Sequence, residues 1–455
     1  MSKIAAIAIF DVGKTNKKLL LFDEGYQLVY EESTQLPETK DEDGFDCEDI
    51  ILLTDWVTTS FHKILQDERF IIKAVNVAAY GASFVYLDEE GKVMLPLYSY
   101  LKPYPDKLLK KFYANYGGEE LIGQQTASPS LGNLNSGLQL YRLKYERPEA
   151  FAKIKFALHL PQYISYVLSS KVYSDITSIG CHTYLWNFDE ANYHTWVNEE
   201  GIWGKLPPLK ACDEIVGYTD RSIPVGIGLH DSSAALIPYL TSFGEPFILL
   251  STGTWSISLN PFNHTPLTSY ELNQDCLCFL SHEKKLVKAS RLFAGYEHEE
   301  QVKKLAEHFN KPVEYYSKVE YDSEIIDKIK LSSISSAVIE KTATPSHSVF
   351  SKRNLEEFST YEEAYYQLIT DIIEQQVRST HLILNDTSVK RIFVDGGFSK
   401  NNIYMHLLAK SFPLIEVYAA SVAQASALGA ALVLHQHWNS KKMPASMINS
   451  KIILH

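Results

Sequence analysis

The chain has 455 residues, of which 45% are hydrophobic and 22% are charged, and its formal net charge is −12. These fractions exclude a disordered chain and, at this length, indicate a globular protein of two to three domains. The acidic excess, without any long basic stretch, disfavours nucleic acid and anionic membrane as partners, because both attract positive charge.

The N-terminal apolar run, residues 4–10, is too short to span a membrane and lacks the cleavage site of a signal peptide. An odd number of cysteines is spread over the chain, at Cys47, Cys181, Cys212, Cys276 and Cys278. Their spacing does not fit a zinc knuckle, so we expect reduced, structural thiols. We therefore expect a cytoplasmic protein.

The first half of the chain alternates strand and helix patterns. Apolar runs 4–10 and 19–22 predict two strands joined by a tight turn, and a third short strand is expected over 26–31. A helical period follows over 50–65, and then an apolar strand over 73–79. The remaining predicted elements of this half are strands at 84–87 and 93–95 and helices near 106–116, 135–145 and 159–170.

The second half repeats the opening pattern. Prolines bracket a loop-rich piece near 205–224, which is the best candidate for a domain junction. After it, strands at 247–250 and 255–259 flank another short turn, which hints at a duplicated fold. A strand at 391–394 then leads to a helix near 403–411, and a final helix is expected over about 421–435.

The first motif with chemical meaning is the turn Asp11-Val12-Gly13-Lys14-Thr15-Asn16-Lys17-Lys18. A tight turn between strands points several backbone N–H groups at one place, and this geometry holds phosphate. Gly13 permits close approach, Thr15 and Asn16 can donate hydrogen bonds, a lysine supplies charge and Asp11 can hold Mg²⁺. A solvated hairpin turn is the alternative interpretation.

Two further turns are compatible with a nucleotide. Ser251-Thr252-Gly253-Thr254 again lies between two strands, although a structural turn is the better interpretation of this motif alone. Asp395-Gly396-Gly397 leads from a strand into a helix, where paired glycines let an anionic or flat ligand approach the backbone. Paired glycines also occur in ordinary turns, so this motif depends on its context.

The fourth motif is the segment 226–235, in which a strand delivers His230 and Asp231 to the start of a helix of small residues. Asp231 can simply cap that helix. It can also be a general base, because phosphoryl transfer requires a carboxylate that orients the acceptor hydroxyl and takes its proton. The sequence contains no Walker-type loop, no protein-kinase motif set and no convincing hydrolase elbow.

These four motifs, in this order over nearly the whole chain, resemble the FGGY family of carbohydrate kinases. The resemblance implies an α/β fold of two actin-like (ribonuclease H-like) ATPase domains with a cleft between them. Asp11, Gly13, Thr15 and Lys18 match the family's first phosphate turn, while Lys14 replaces a threonine.

The rhamnulokinase branch is the most similar, through His-Asp-Ser-Ser-Ala at 230–234 and the turn at 251–256. In the segment that begins at Tyr80, Ser83 stands where the family has a sugar-binding aspartate and Tyr80 where it has tryptophan. In the closing helix, Gln424 replaces a glutamate. The resemblance therefore implies the class of substrate but leaves the individual sugar open.

The resemblance also implies domains at 1–222 (sugar and phosphate binding) and 223–455 (catalytic base and nucleotide binding), with ATP and Mg²⁺ as cofactors. Asp231 is then the catalytic base and Asp11 the metal ligand. The implied ATP-binding residues are Gly13, Thr15, Asn16, Lys18, Thr252, Gly253, Thr254, Gly396, Gly397 and Asn401. The implied sugar-binding residues are Ser83, Phe84, His230 and Asp231.

We therefore expect a kinase that phosphorylates a sugar hydroxyl in carbohydrate catabolism, with a ketose of the rhamnulose, fuculose or xylulose type as substrate. The alternative is a non-catalytic actin-like, ATP-binding sugar sensor, which the replacements at Lys14, Ser83 and Gln424 keep open. Asp231 argues against it, because a pure binder needs no base. A DNA-binding regulator is disfavoured, since no helix-turn-helix segment is visible. The oligomeric state stays open, with a homodimer as one option.

Overall fold

The computed structural model describes residues 3–323, 325, 349–385 and 387–454. These residues form two compact units. The first unit comprises Met1–Ser242, Cys278–Lys285 and Ala423–Met447, and the second comprises Phe243–Leu277, Leu286–Val422 and Ile448–His455. The first unit continues past the expected junction at 222 and 223, because the strands that follow the junction pair with Phe70–Ala79. The division into domains at 1–222 and 223–455 stays a prediction.

The strands are numbered here in chain order. They are β1 (Ile4–Val12), β2 (Lys17–Asp23), β3 (Leu28–Thr34), β4 (Glu38–Lys40), β5 (Asp46–Glu48), β6 (Phe70–Ala79), β7 (Phe84–Leu87), β8 (Phe156–His159), β9 (Ser174–Asp175), β10 (Trp186–Asn187), β11 (Asn192–Tyr193), β12 (Leu209–Lys210), β13 (Ile215–Tyr218), β14 (Pro224–Gly226), β15 (Leu229–His230), β16 (Phe247–Thr252), β17 (Ser256–Asn260), β18 (Cys276–Leu280), β19 (Leu286–Leu292), β20 (Arg391–Gly396), β21 (Glu416–Ser421) and β22 (Asn449–Ile453).

The α-helices of the described residues are numbered in the same way. They are α1 (Ile50–Gln66), α2 (Asp106–Asn115), α3 (Glu119–Gln125), α4 (Gly137–Glu146), α5 (Pro148–Lys153), α6 (Leu160–Ser169), α7 (Ile176–Ile179), α8 (Thr195–Glu199), α9 (Asp231–Ser242), α10 (Ser269–Asn273), α11 (Ala294–His308), α12 (Tyr361–Leu384), α13 (Asn402–Ser411), α14 (Ala425–Leu432) and α15 (His435–Trp438). None of them is long and apolar enough to cross a membrane.

The main sheet of the first unit has the strand order β13-β14-β6-β1-β2-β3, and β15 also pairs with β6. Strands β1 and β6 are parallel, whereas β1–β2 and β2–β3 are antiparallel. Residues 6–10 of β1 are fully buried, which explains why this strand is a continuous apolar run rather than an alternating one. Helices α1 and α6 contribute apolar side chains to the same core.

The second unit repeats this topology. Its sheet has the order β18-β19-β17-β16-β20-β21-β22. Strand β16 is antiparallel to β17 and parallel to β20, as β1 is antiparallel to β2 and parallel to β6. Across each sheet, two neighbouring antiparallel strand pairs therefore adjoin two neighbouring parallel pairs. The duplication that the sequence hinted at is present in the strand order.

Three sequence predictions need correction. The strand expected at 93–95 does not form, and Val93 makes an isolated bridge to Leu87 instead. The third strand begins at Leu28, because Tyr26 adopts a positive φ of 59° in the preceding turn and cannot extend the strand. The final helix is not continuous over 421–435. Residue Ser421 still belongs to β21, Gln424 has φ 55°, and the helical residues divide into α14 and α15. All five cysteines are buried thiols.

Candidate active site

The turn between β1 and β2 connects an antiparallel pair in which Asp11 lies opposite Lys18. The turn is closed by a hydrogen bond from the Gly13 N–H to the carbonyl of Asn16, 2.9 Å long. A Cβ atom at Gly13 would lie 3.2 Å from that carbonyl oxygen, so a larger residue would crowd the turn. Thr15 and Asn16 are exposed at its tip. This geometry agrees with a phosphate-binding turn.

The two lysines that end the turn have different environments. Lys17 is 2% exposed, and its ammonium donates to the carbonyl of Lys14 at 2.8 Å and to the carboxylate of Glu48. Lys18 is more accessible and contacts Glu31 Oε1 at 3.0 Å and Gln424 Oε1 at 3.2 Å. Lys18 is therefore the cation that a ligand can reach, whereas Lys17 is a buried structural ion.

Glu48 is a residue of this site that the sequence did not reveal. Its second carboxylate oxygen accepts a hydrogen bond from the hydroxyl of Tyr80, so one buried carboxylate joins the turn between β1 and β2 to the segment that contains Ser83. The only signal in the sequence was a single acidic residue on a short strand, and that signal is not specific.

Strand β6 brings Asp11 and Asp231 to the same edge of the first sheet. Asp11 pairs with Ala78 on one side of β6, and His230, the residue before Asp231, pairs with Ala79 on the other side. Neighbouring strands are about 4.8 Å apart, so the backbones on either side of β6 are about 10 Å apart. Both carboxylates therefore project from the carboxyl ends of parallel strands, where α/β folds place their ligands.

The electrostatics of these two carboxylates support a functional role. Burial raises the pKa of Asp231 to about 6, against hydrogen bonds from the backbone and hydroxyl of Ser232 that favour the charged form. Burial also raises the pKa of Asp11 to about 6, and the negative charge of Asp231 adds to that rise while Lys18 opposes it. About a third of the Asp231 side chain stays exposed, at 32%. A substrate can therefore reach a carboxylate whose pKa suits a general base near neutral pH.

His230 is held tightly beside this carboxylate. Its Nε2 lies 3.3 Å from Asp231 Oδ1, and burial lowers its pKa to about 4, so the imidazole is neutral at pH 7. A Cβ atom at Gly81 would lie 2.7 Å from the Cδ2 of His230, which shows that the glycine makes room for the ring. The structure thus places His230 between Asp231 and Gly81, and the contact of His230 and Asp231 with a sugar stays a prediction.

The other two predicted sugar contacts are buried in the protein. Ser83 is 1% exposed, and its hydroxyl donates to the carbonyl of Tyr98 at 3.4 Å. Phe84 has no exposed surface and packs against the ring of His159, with centroids 4.0 Å apart. Burial, with the nearby His230 and His182, lowers the pKa of His159 to about 3. Contact of Ser83 and Phe84 with a sugar stays a prediction.

In the second unit, the turn after β16 is tied to the turn after β20. The carbonyl of Thr252 accepts a hydrogen bond from the N–H of Gly397 at 2.8 Å, and its hydroxyl donates to the carbonyl of Asp395 at 2.6 Å. Gly396 has φ 91°, and a Cβ atom there would lie 2.0 Å from the carbonyl oxygen of Thr252. Only glycine fits this position. Gly396 and Gly397 are exposed.

Gly295 is a second residue of the site that the sequence did not reveal, and it contacts the turn at Gly253 and Thr254. A Cβ atom at Gly295 would lie 1.9 Å from the carbonyl oxygen of Gly253, and the N–H of Tyr296 donates to the carbonyl of Thr254 at 3.1 Å. The signal was a single glycine in the first turn of α11, shortly after strand β19, and such a glycine is not specific. The backbone of the turn at 252–254 therefore packs closely against Gly295 and Gly396, both within the second unit.

Asn401 has a structural role at the start of α13. Its side chain caps α13 by accepting from the N–H of Tyr404 at 3.1 Å, and its amide donates to the hydroxyl of Tyr365 at 2.8 Å. That hydroxyl also contacts His298 at 3.0 Å. Contact of Asn401 with adenosine stays a prediction.

The first unit offers a donor set that suits Mg²⁺. Two carboxylates, Asp11 and Asp231, lie at one edge of the sheet, and their mutual charge is unfavourable without a cation. Mg²⁺ takes oxygen ligands and commonly uses one or two carboxylates together with substrate phosphates. The residues present therefore fit this ion.

Residues 6–237 of the chain, more than half of it, match the N-terminal domain of the FGGY family of carbohydrate kinases. A curated relative, rhamnulokinase from Mannheimia succiniciproducens, is 25% identical over 264 residues, which cover 56% of this chain and 53% of the relative. The chain thus spans about half the length of the curated relatives it matches.

Solved structures resemble the chain over nearly its whole length. A carbohydrate kinase from Novosphingobium aromaticivorans has a TM-score of 0.79 at 20% identity, covering 99% of this chain and 94% of that chain. Plasmodium falciparum glycerol kinase with ADP has a TM-score of 0.73 at 16% identity, covering 96% and 90%. These likenesses confirm the predicted α/β fold with actin-like domains.

Proposed function

Because the chain belongs to the FGGY family of carbohydrate kinases, we propose that it transfers the terminal phosphoryl group of ATP to a hydroxyl of a sugar. The observation that carries this proposal is the placement of Asp11 and Asp231 at one edge of the first sheet, each with a pKa raised to about 6. A pair of carboxylates in this state supplies both a metal ligand and a base.

In this proposal Asp231 accepts the proton of the attacking hydroxyl. Its carboxylate is partly exposed, and the hydrogen bonds from Ser232 fix the orientation of Oδ1. The neutral imidazole of His230 lies beside it and can exchange a hydrogen bond with a sugar hydroxyl without adding positive charge. A carboxylate with a pKa near 6 is ionised at pH 7 and is still basic enough to take a proton.

The turn Gly13–Lys18 would contact the phosphoryl group. The exposed Thr15 and Asn16 and the backbone of the turn can donate hydrogen bonds, and Lys18 supplies positive charge. Asp11 would hold Mg²⁺, which when bound neutralises the charge of the phosphates. Lys18 is held at rest by Glu31 and Gln424, and a phosphate would compete with these two partners.

The second unit would bind the nucleotide. In the turn Thr252–Thr254, the exposed Gly253 and Thr254 would face the phosphates, while the buried hydroxyl of Thr252 holds the turn in place through the carbonyl of Asp395. The exposed Gly396 and Gly397 would let adenosine lie against the backbone. The likeness to a glycerol kinase that binds ADP supports this role.

We propose a ketose as the sugar, with rhamnulose first and fuculose or xylulose next. The curated rhamnulokinase relatives and the His-Asp-Ser-Ser-Ala sequence at 230–234 support this order. The serine at position 83, where the family resemblance implies aspartate, is buried and hydrogen-bonded to the protein. This replacement is the reason to test ketoses beyond rhamnulose.

The test is ADP release from ATP·Mg²⁺ by the full chain across a panel of ketoses, aldoses and polyols, with ATP binding measured in parallel by calorimetry. We expect one ketose to stimulate ADP release well above the rate without sugar. If ATP binds but no sugar stimulates ADP release, the kinase proposal is wrong and the sugar-sensor alternative takes its place.

A further inference from the structure

Beside the proposed catalytic base, the first unit gathers a thiol and two imidazoles. Cys181, His182 and His230 each present one ligand atom, and these three atoms all lie within 4.8 Å of one another. Cys181 Sγ is 4.0 Å from His230 Nε2. Among the described residues, no other group of three or more histidine, cysteine, aspartate or glutamate side chains has ligand atoms this close together. The proposed kinase reaction assigns no role to Cys181 or His182.

His182 is oriented as a metal-binding histidine usually is. Its Nδ1 lies 3.2 Å from the backbone carbonyl of Leu134. A neutral imidazole that donates from Nδ1 keeps a lone pair on Nε2, and metal-binding histidines commonly donate their other N–H to a carbonyl in this way. The backbone of His182 has a positive φ of 40°, which is uncommon for a residue other than glycine. Such backbone strain tends to occur at functional sites.

His230 is the second imidazole and is incompletely satisfied by the protein. The residue is 5% exposed, and its Nδ1 is buried without a hydrogen-bond partner in the part of the chain that the structure describes. The neutral, buried ring has Nε2 directed towards the thiol of Cys181 and the carboxylate of Asp231.

We propose that Cys181, His182 and His230 bind a thiophilic divalent cation of the Zn²⁺ type. One thiolate and two imidazoles are ligands that zinc prefers over Mg²⁺, and three protein ligands leave a fourth position open. Asp231 Oδ1, 3.3 Å from His230 Nε2, provides an oxygen of a kind that zinc also accepts. The site adjoins the proposed magnesium site at Asp231, but its other donors are sulfur and nitrogen, which favour zinc over Mg²⁺.

A cation at this site has a consequence for the proposed kinase. An ion on His230 Nε2 would lie next to Asp231, because that nitrogen is 3.3 Å from Asp231 Oδ1. Zinc therefore inhibits sugar phosphorylation by occupying the base and its neighbour, in competition with the sugar. The inhibition rests on the proposed function, whereas the binding of the metal does not.

The test uses Co²⁺ as a spectroscopic substitute for Zn²⁺, added to the metal-free full chain in the absence of ATP. A cysteine ligand gives a thiolate-to-cobalt charge-transfer band in the near ultraviolet, and a tetrahedral site gives intense visible bands. We expect both bands, with saturation at one ion per chain and loss of the bands when Zn²⁺ is added.

Two variants remove single ligands and keep the local structure. Cys181→Ser replaces the thiol with a hydroxyl of similar size, and His182→Asn keeps a residue type that tolerates positive φ and can still donate to the carbonyl of Leu134. We expect each to weaken Co²⁺ binding by at least about 100-fold, because even changes behind the ligands cost 10–100-fold. Cys47→Ser, at another fully buried cysteine, should keep the bands.

Absence of the charge-transfer band in the wild type, or its persistence in Cys181→Ser, would overturn the metal site. If sugar-dependent ADP release is found, buffered free Zn²⁺ should raise the apparent KM for the sugar in the wild type and not in Cys181→Ser. Equal inhibition of both would show that the site does not control the reaction. If no sugar stimulates the protein at all, the cobalt bands still decide the metal site.

Discussion

A single methyl group at Gly396 should strongly destabilise the second unit. Its φ of 91° is a conformation that costs an L-residue about 1–2 kcal/mol. A Cβ atom would also lie 2.0 Å from the carbonyl oxygen of Thr252, so the two turns must separate, and overpacking of this kind costs about 1–3 kcal/mol. We therefore expect Gly396→Ala to lower the free energy of unfolding by about 2–5 kcal/mol.

The neighbouring glycine supplies a matched control. Gly397 has φ −62°, and a Cβ atom there would be 3.8 Å from the same carbonyl oxygen, an ordinary contact. Gly397→Ala should therefore change stability by less than about 1 kcal/mol, and in the direction of stabilisation, because alanine restricts the unfolded chain. The two variants differ only in which of two adjacent glycines receives the methyl group.

The assay is urea unfolding of the full chain, followed by circular dichroism, together with ATP binding by calorimetry. With a slope of about 2 kcal/mol per M of urea, Gly396→Ala should lower the midpoint of the second unit by about 1–2.5 M. It should also weaken ATP binding, since the Thr252 turn would move. If Gly396→Ala and Gly397→Ala have the same midpoint and ATP affinity, the argument from the contact with Thr252 is refuted.

Three further predictions concern the first unit. Glu48→Ala leaves the buried ammonium of Lys17 without its carboxylate and should cost about 3–5 kcal/mol in urea unfolding. Burial gives His159 a pKa of about 3 in the folded protein, against about 6.5 in the unfolded chain, so protonation favours unfolding as the pH falls below 6.5. At pH 5 this lowers the free energy of unfolding by about 2 kcal/mol, and His159→Gln should be destabilised by acid that much less. Gly429→Ala places a Cβ atom 1.9 Å from the carbonyl oxygen of Ala234 and should lower the melting temperature by several degrees.

Each of these predictions has a control at an exposed site. Glu90 pairs with an exposed lysine, so Glu90→Ala should change stability by less than about 1 kcal/mol. His62 is exposed, so His62→Gln should change the free energy of unfolding by less than about 0.5 kcal/mol. A Cβ atom at Gly204 meets nothing within 4 Å, so Gly204→Ala should leave the melting temperature almost unchanged. A variant that behaves like its control contradicts the corresponding argument.

Sequence patterns predicted best where strands end, and several of the candidate site residues lie at such positions. Asp11, Asp231 and Thr252 each follow or end an apolar run, and the strand pairing places them at the carboxyl edge of a parallel pair. The reason is local: a short apolar run followed by a polar turn specifies a strand and its end. The duplicated strand order could be anticipated from the same repeated pattern.

Contacts between distant residues were beyond the reach of sequence patterns. Gln424 was identified only as a replacement within the closing helix, yet its side chain contacts Lys18, 406 positions earlier. Glu48 and Gly295 carried no periodic signal, and their importance depends on what the fold packs against them. Burial of Ser83 likewise depends on Tyr98, whose position follows from the tertiary structure.

The most direct test of the central claim, that Asp231 is the base of a sugar kinase, is sugar-dependent ADP release by Asp231→Asn beside Asp49→Asn. Asp49 caps α1 in the first unit, and asparagine caps a helix equally well, so this control makes the same chemical change at a structural position. We predict that Asp231→Asn loses at least about 100-fold in rate while its melting temperature stays near that of the wild type, and that Asp49→Asn keeps its activity. An Asp231→Asn variant that phosphorylates the sugar within a few-fold of the wild-type rate would contradict the claim.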